Sequence, residues 1–268
     1  MAIITLITDW YNNDYYLGAL KGKLLNLYPE VTIIDISHQV SSFAYSQAAF
    51  ILKNSFTLFP EGTVHIVGVN SEASEDNPYV AIIHQGHYFI GADNGIFGLI
   101  FDDKEFKAIK LKNTSVTTFP ELTIFAETAV YLSKGGKIEK LGTSYSKLFM
   151  HAPLLPAIEN SVINGSIVYI DSFGNGITNI SKNLFERVGK GRRFEILVQS
   201  NFNKISKLNI SYHETPGGEL LALFNTGGYI EVAVNKGNAS QLLNLTINSV
   251  VRVKFFDKAS EQEELKLT

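Results

Sequence analysis

Short apolar runs alternate with longer amphipathic ones through the first third of the chain. Ile3–Thr8, Val31–Ile36 and Val64–Val69 are separated by Tyr15–Tyr28 and Phe43–Phe59, which predicts the order β-α-β-α-β. Runs such as Val31-Thr32-Ile33-Ile34 are apolar at both parities, the pattern of strands covered on both faces in a parallel sheet. Pro29 and Pro60-Glu61-Gly62 end the two amphipathic segments, because proline has no amide to donate and disfavours a helical residue before it. Tyr79–His84 and His87–Ile90 flank Gln85-Gly86 as a hairpin. A helix is expected from about Leu122 to Ser133, stopped by Gly135-Gly136.

From Pro153 to Asn164 no period is sustained, and Pro153 and Pro156 fall in a stretch with Ala157, Asn160 and Asn164 that runs up to Gly165, so a linker is expected. Beyond it the runs are short and β-like: Gly165–Ile170, Phe194–Val198, Leu220–Phe224, Tyr229–Val234 and Val250–Phe256. Pro216-Gly217-Gly218 and Gly227-Gly228 supply tight turns between them. The fold class is therefore α/β: an N-terminal α/β sandwich with a mostly parallel central sheet over 1–155, followed by a smaller antiparallel β-barrel over 156–268. The polar stretch Asp257–Thr268 reads as a frayed tail.

Composition narrows the class. The 268 residues are 45% hydrophobic and 18% charged, ordinary for a globular protein of one or two domains. The net charge of -3 provides no basic stripe for a phosphate backbone, which argues against a nucleic-acid partner. The absence of cysteine removes disulfides, thiolate metal sites and cysteine nucleophiles. The first nine residues lack a basic region and end on Asp9, unlike a signal peptide, and no apolar run is long enough for a membrane span. A cytoplasmic protein without a membrane partner is expected.

Asp9, Asp35, His38 and Asn70 fall at or just beyond the C-terminal ends of predicted strands, the edge at which open α/β sheets bind ligands. Asp9, Asp14, Asp35 and His38 match no tight metal-ligand spacing, so no metal is expected; Asp35 and His38 are read first as braces of the turn after the second strand. Gly18 and Gly22 suggest close helix packing, and no Walker, Rossmann or Gly-x-Ser-x-Gly pattern is present. Gly91-Ala92-Asp93-Asn94-Gly95 and Asp171-Ser172-Phe173-Gly174-Asn175 each carry turn chemistry directly after a strand.

Taken together with Leu6-Ile7-Thr8-Asp9, Asp14-Tyr15-Tyr16-Leu17-Gly18-Ala19-Leu20-Lys21-Gly22, Ile34-Asp35-Ile36-Ser37-His38, Phe59-Pro60-Glu61-Gly62-Thr63-Val64-His65 and Lys236-Gly237-Asn238-Ala239, these strings give the chain a resemblance. It resembles the S-adenosylmethionine (SAM) hydroxide adenosyltransferase family, which includes SAM hydrolases and is related to adenosyl fluorinases and chlorinases. The resemblance implies an α/β domain, a β-barrel, and a homotrimer whose sites lie between the first domain of one subunit and the barrel of the next. It implies cleavage of the C5′–sulfur bond of SAM by water or halide, with SAM as substrate or ligand and no cofactor. By position, Asp9 would hold the ribose hydroxyls, Phe43 would lie near the ribose and adenine, and Phe173 would face the adenine. Asn175 and the backbone at Asn238 and Ala239 would read the adenine edge, and Asp171 would pair with the methionine ammonium; as an alternative, Asp171 caps its own turn.

The departures bear on catalysis. Hydrolases similar to this chain carry an Asp-Arg-His set in the strings Val-Asp-Pro-Gly-Val-Gly and Thr-Phe-His-Gly-Arg-Asp. Here those strings read Val69-Asn70-Ser71-Glu72-Ala73-Ser74 and Thr118-Phe119-Pro120-Glu121-Leu122-Thr123, and the arginine position falls near Pro78. Asn70 takes no proton near neutrality, and neither proline offers a side-chain donor or acceptor. Asn70, Glu121 and Glu72 remain as candidates near the reacting atoms, the two glutamates reading either as solvated carboxylates or as a replacement base. Two functions follow as expectations: slow hydrolysis of SAM to adenosine and L-methionine, or non-catalytic binding of SAM or adenosine as a sensor or scaffold. Halide transfer is disfavoured because a carboxylate in that pocket repels the anion.

Overall fold

The computed structural model describes residues 2–11, 14–101, 105–112 and 117–257, so the expected tail beyond Asp257 lies outside the described residues. The chain divides into two compact units, Met1–Ala152 and Pro153–Thr268.

In the first unit, β1 (Ile3–Thr8), α1 (Tyr16–Leu27), β2 (Thr32–Ser37), α2 (Tyr45–Lys53) and β3 (Val64–Gly68) follow the order read from the periodicity. The hairpin β4 (Tyr79–His84) and β5 (His87–Ala92) comes next, then α3 (Ile96–Phe101), β6 (Lys107–Leu111), α4 (Ile124–Ser133) and β7 (Gly142–Tyr145). The sheet order is β2-β1-β3-β5-β4-β6-β7. Pairs β1–β2, β1–β3 and β3–β5 are parallel, whereas β4–β5, β4–β6 and β6–β7 are antiparallel. Five strands point one way, but only half of the pairings are parallel.

Alternation along the strands feeds two cores. Ile4, Leu6, Ile66 and Ala81 pack with α1 and α4 on one face, and Ile7, Val67, Val80 and Ile82 with α2 and α3 on the other. The result is a three-layer sandwich in which each central strand buries both of its faces. β2 departs from expectation: it is one of the two edge strands and only partly covered. The expected Phe43–Phe59 helix ends early. Asn54 Nδ2 and Ser55 Oγ donate to the carbonyls of Phe50 and Ile51 at 2.7 and 2.8 Å, closing α2 before a separate 3-10 turn at Phe56–Leu58. Gly135, with φ +82°, donates to Leu132 O and stops α4 as the glycine pair predicts.

The second unit comprises β8 (Ala157–Glu159), β9 (Val162–Ile170), β10 (Gly176–Ser181), α5 (Lys182–Gly189), β11 (Arg193–Val198), β12 (Lys204–Ile205), β13 (Leu208–Asn209), β14 (Leu220–Phe224), β15 (Tyr229–Val234), α6 (Ala239–Leu242) and β16 (Val250–Phe256). Part of the expected linker is thus strand: β8 pairs with the start of β9 across the turn at Asn160-Ser161. The main path is β12-β11-β16-β9-β10-β15-β14-β13. Its two end strands are consecutive in the chain, joined only by Ser206-Lys207, so the sheet curls round on itself into a nearly closed barrel. Ile163, Ile167, Ile196, Val232, Val251 and Val253 fill its interior. All described pairings are antiparallel except β13–β14.

One buried polar group sets a pH limit on the first unit. His65 is fully buried on β3, with Nδ1 2.7 Å from Thr5 Oγ1 and Nε2 3.2 Å from His87 Nδ1. Two facing ring nitrogens share a single proton, and burial, with His87 adding to it, pushes the His65 pKa down to about 3. Below the ordinary value near 6.5 the unfolded chain therefore binds the extra proton and the folded chain does not, so stability is complete above that value and is lost as pH falls toward 3. Stability measured by denaturant unfolding should drop by about 1.4 kcal/mol per pH unit between pH 6 and pH 4 through this residue. The His65→Leu protein should show a flatter dependence over the same interval, whatever its absolute stability; an unchanged slope would assign the acid sensitivity elsewhere.

Candidate functional site

The parallel strands β1, β2, β3 and β5 end at one edge of the sheet, and each is followed by a polar residue there: Asp9, His38, Asn70 just after Val69, and Asp93. β1 leads to β2 on one side and β3 lies on its other side, so the chain reverses its direction of winding between β1 and β3. That is the switch point at which loops diverge and leave a crevice.

Asp9 and Asn70 meet across this point. The Asn70 N–H donates to Asp9 Oδ2 at 3.2 Å, and the Asp9 N–H donates to Gly68 O at 3.4 Å. Half-burial pushes the Asp9 carboxyl above the usual range, against the stabilising N–H groups of Asn70 and of Asp9 itself. The loop after β1 is clamped on both sides of Asp9. His38 Nδ1 lies 2.8 Å from Thr8 Oγ1, and the His38 carbonyl accepts from the Tyr11 N–H at 2.8 Å. Asp35 lies within β2 rather than beyond it and pairs with Lys21 Nζ at 2.6 Å; His38 Nε2 sits 3.1 Å from Asp35 Oδ1, out of line for a hydrogen bond. These two residues brace the turn, and Asp14 is exposed. Among the described residues no group of three His, Asp or Glu side chains is placed to hold a metal ion.

Glu121 differs from the solvated carboxylate that its sequence context allowed. It sits in a 3-10 turn at Pro120–Leu122 and is only 3% exposed. A methyl group on Gly68 would come within 3.2 Å of Trp10 Cζ2 and 3.3 Å of Glu121 Oε1, so the bare backbone of β3 lets both side chains close over the strand end. Trp10 and Tyr16 pack edge-on against Phe119 at 5.2 and 5.3 Å, an aromatic cluster that includes the ring next to Glu121 over Gly68. Burial raises the Glu121 pKa to about 7; the Asp9 charge adds to the rise, and the neighbouring Ser71 hydroxyl opposes it. Ser71 Oγ is itself buried without a well-formed hydrogen bond. Glu72 is exposed, as the solvated reading expected. Pro78 and Pro120 are buried and present no side-chain donor or acceptor.

Asn70 is also bound through its side chain, Nδ2 donating to Tyr45 Oη at 2.6 Å. The Tyr45 ring stacks on His151 at 5.0 Å, and His151 Nε2 reaches Asn94 O at 3.0 Å. Asn94 Nδ2 returns to Val69 O and Asn70 O at 2.8 and 3.0 Å. Asp93, fully buried, accepts from Tyr145 Oη and the Phe149 N–H, each at 2.9 Å, and so pins the segment that carries His151. Tyr11, Phe43 and Asn70 all have positive φ, between 45° and 63°. Such backbone is uncommon for side chains of this size and concentrates where a site over-determines it. Phe43 stands mostly exposed at the same edge.

In the second unit the loop between β9 and β10 is tied by Asp171, whose Oδ1 accepts from Phe173 N and Asn175 N at 2.9 and 2.8 Å, and whose Oδ2 accepts from Asn175 Nδ2 at 3.0 Å. The turn-cap reading of Asp171 is therefore correct as local structure, yet a carboxylate has about four lone-pair directions and Oδ2 keeps capacity. The cap presents Phe173, 75% exposed, and buries Asn175. Asn238 caps α6, accepting from Gln241 N at 2.9 Å, and buried Ala239 opens that helix. Gly174, with φ +81°, has no room for a Cβ against the Asn238 side chain, and its carbonyl accepts from Ser240 N at 2.8 Å. Asp171, Phe173, Asn175, Asn238 and Ala239 thus share one end of the barrel.

Sequence reasoning missed Tyr45, Ser71, Trp10, Phe119, Asn94 and His151 as site neighbours. Ser71, Phe119 and Asn94 lie inside strings already singled out, Trp10 follows Asp9 and Tyr45 lies two residues after Phe43, so adjacency was an available signal. Nothing in the local sequence marks His151, which arrives through tertiary packing alone.

The comparisons agree with this architecture. Residues 4–142 match the family model of the SAM hydroxide adenosyltransferase N-terminal domain, and residues 165–252 that of its C-terminal domain. The chain is 28% identical to the (R)-S-adenosyl-L-methionine hydrolase of Methanocaldococcus jannaschii, covering 91% of this chain and 92% of that protein. It is 26% identical to the Thermus thermophilus protein of the same name, covering 94% and 100%, and 24% identical to a fluorinase of Actinoplanes sp., covering 94% and 97%. A crystal structure of an uncharacterized conserved protein from Thermotoga maritima superposes with a TM-score of 0.85 at 26% identity, over 94% of this chain and 99% of that one. The chain belongs to the SAM hydroxide adenosyltransferase family.

Proposed function

We propose that this chain binds SAM and hydrolyses it to adenosine and L-methionine, with Glu121 as the general base. The observation that carries the proposal is a carboxylate closed over the end of β3 with its pKa raised to about 7, where both protonation states are populated near neutrality. Relatives named as hydrolases, aligned over nearly the whole chain, support the substrate.

In the reaction, a water oxygen attacks C5′ in line with the C5′–sulfur bond. The bonding pair leaves with sulfur, which becomes the neutral thioether of methionine, and the proton released by the water passes to Glu121. The sulfonium is a good leaving group, so alignment and exclusion of bulk water supply most of the acceleration. The Asp9 carboxylate takes both ribose hydroxyls, since two acceptor oxygens match two donors. Phe43 and Phe173 flank the nucleoside, Asn175 with the backbone at Asn238 and Ala239 reads the adenine edge, and Asp171 meets the ammonium. A cytoplasmic homotrimer with each site completed between subunits, and no cofactor, makes up the rest of the proposal.

The replacement of the usual Asp-Arg-His set by Asn70, the Pro78 region and Pro120 favours a second reading, ligand binding without turnover. Adenosine released from SAM, quantified by chromatography, separates the two. Turnover should rise with pH through a midpoint near 7, because the base acts only when ionised. Glu121→Gln should lower it by roughly 10²- to 10⁴-fold. A flat profile between pH 5.5 and 8.5, or a fully active Gln variant, would remove Glu121 from the reaction, and saturable binding with no adenosine would establish the second reading.

Binding tests the remaining assignments separately. Isothermal calorimetry with SAM in chloride-free buffer should give a heat that is lost in Asp9→Ala and strongly weakened in Asn175→Ala. Wild-type affinity in both variants would exclude the nucleoside placement.

A further inference from the structure

The outer face of the barrel carries a second, buried carboxylate near Asp171. Ile230, Val232 and Val234 on β15 turn into the barrel, so Glu231 among them turns outward. Register places Glu231 opposite Ile177 on β10, and Ile177 opposite Tyr169 on β9, two residues before Asp171. Glu231 is only 5% exposed, and the Tyr212 hydroxyl donates to its Oε1 at 2.6 Å. Burial raises the Glu231 pKa, the Asp171 charge adding to the rise and the Tyr212 hydroxyl opposing it. Burial and then Glu231 raise the Tyr212 phenol, and Asp171 adds to that rise too. Asp171 is therefore within electrostatic reach of both groups. Lys207, ahead of the 3-10 turn that carries Tyr212, is already paired with Glu214 at 2.8 Å.

Resting on the hydrolase reading above, we infer that this site prefers a sulfonium nucleoside whose tail ends in an ammonium group without a carboxylate, as in decarboxylated SAM. In SAM the carboxylate and the ammonium sit on the same carbon, so seating the ammonium on Asp171 brings the carboxylate into the field of Asp171 and Glu231 together. Like charges repel strongly where burial limits screening by water. The ammonium alone meets the opposite situation: a cation beside Asp171 also favours the ionised form of Glu231, which the aspartate by itself opposes. Removing the carboxylate from the tail takes away the repulsion and keeps the attraction. The bond changes are those already given. The water oxygen bonds to C5′, the C5′–sulfur pair leaves with sulfur as the neutral thioether of 3-(methylthio)propylammonium, and the water proton passes to Glu121.

The test compares decarboxylated SAM with SAM on the same protein, adenosine release being quantified by chromatography. For decarboxylated SAM kcat/KM should be roughly 10-fold higher or more, with most of the difference in KM. In Glu231→Gln, which removes the charge and keeps the shape, the ratio between the two substrates should fall to within about three-fold. A ratio taken on one protein does not depend on how much of it is folded, and the wild-type comparison stands alone if the variant does not fold. Equal or better use of SAM by the wild type, or an undiminished preference in Glu231→Gln, would overturn the inference and leave the hydrolase reading standing. If neither compound yields adenosine, the hydrolase reading falls and calorimetry decides the preference. Tighter binding of decarboxylated SAM then upholds it, whereas equal, weaker or absent binding overturns it as well.

Discussion

The parallel pairing of β1 with β3 is the constraint from which the candidate site follows. Ile4↔Val64 through Thr8↔Gly68 align the two strands so that they end together. Because β1 continues to β2 on its other side, the loops leave this point in opposite directions and cannot cover it. Asp9 and Asn70 are neighbours for this reason alone. Gly68 then decides how closely anything can approach the strand end, and Trp10 and Glu121 both occupy the room its missing side chain leaves.

The chemistry turns on what happens to a carboxylate in that place. In water Glu121 would be ionised throughout the neutral range; buried at the strand end where Trp10 also closes over Gly68, and near Asp9, its charged form loses solvation and gains a like-charged neighbour. Both effects act in the same direction, and the Ser71 hydroxyl opposes them only in part. A group poised this way suits taking a proton from water and is hostile to a halide ion.

The two units solve different problems. The first places titratable groups at a strand edge, where convergence of loops brings unlike residues together. The second uses an aspartate-capped turn and a glycine without room for a Cβ to lay Phe173 open and hold Asn175 inside. Asp171 organises that turn, and its Oδ2, which accepts from Asn175 Nδ2, keeps a lone-pair direction that the proposed binding of an ammonium group would use.

Much of the fold was legible in the chain because periodicity and breakers are local. The β-α-β-α-β order, the Gln85-Gly86 hairpin and the Gly135 stop all follow from residues within a few positions of each other. Elements whose burial depends on distant partners were not legible. β6 and β10 are short and rich in Lys, Thr and Asn, and they become strands because neighbours need their backbone groups. β2 reads as a central strand and is an edge. Of the candidate site residues, Asp9, Asn70, Asp171, Phe173, Asn175, Asn238 and Ala239 could be named from strings, and Phe43 from its position in the resemblance. By itself, the sequence determined the β-α-β-α-β order of the first third, the family and the loss of the usual Asp-Arg-His set, since these depend on residue identity and spacing. Only the tertiary structure decided that Glu121 is buried and proton-accepting near neutrality, and that His151 braces Tyr45 against Asn70, because desolvation and packing are set by residues far apart in the chain.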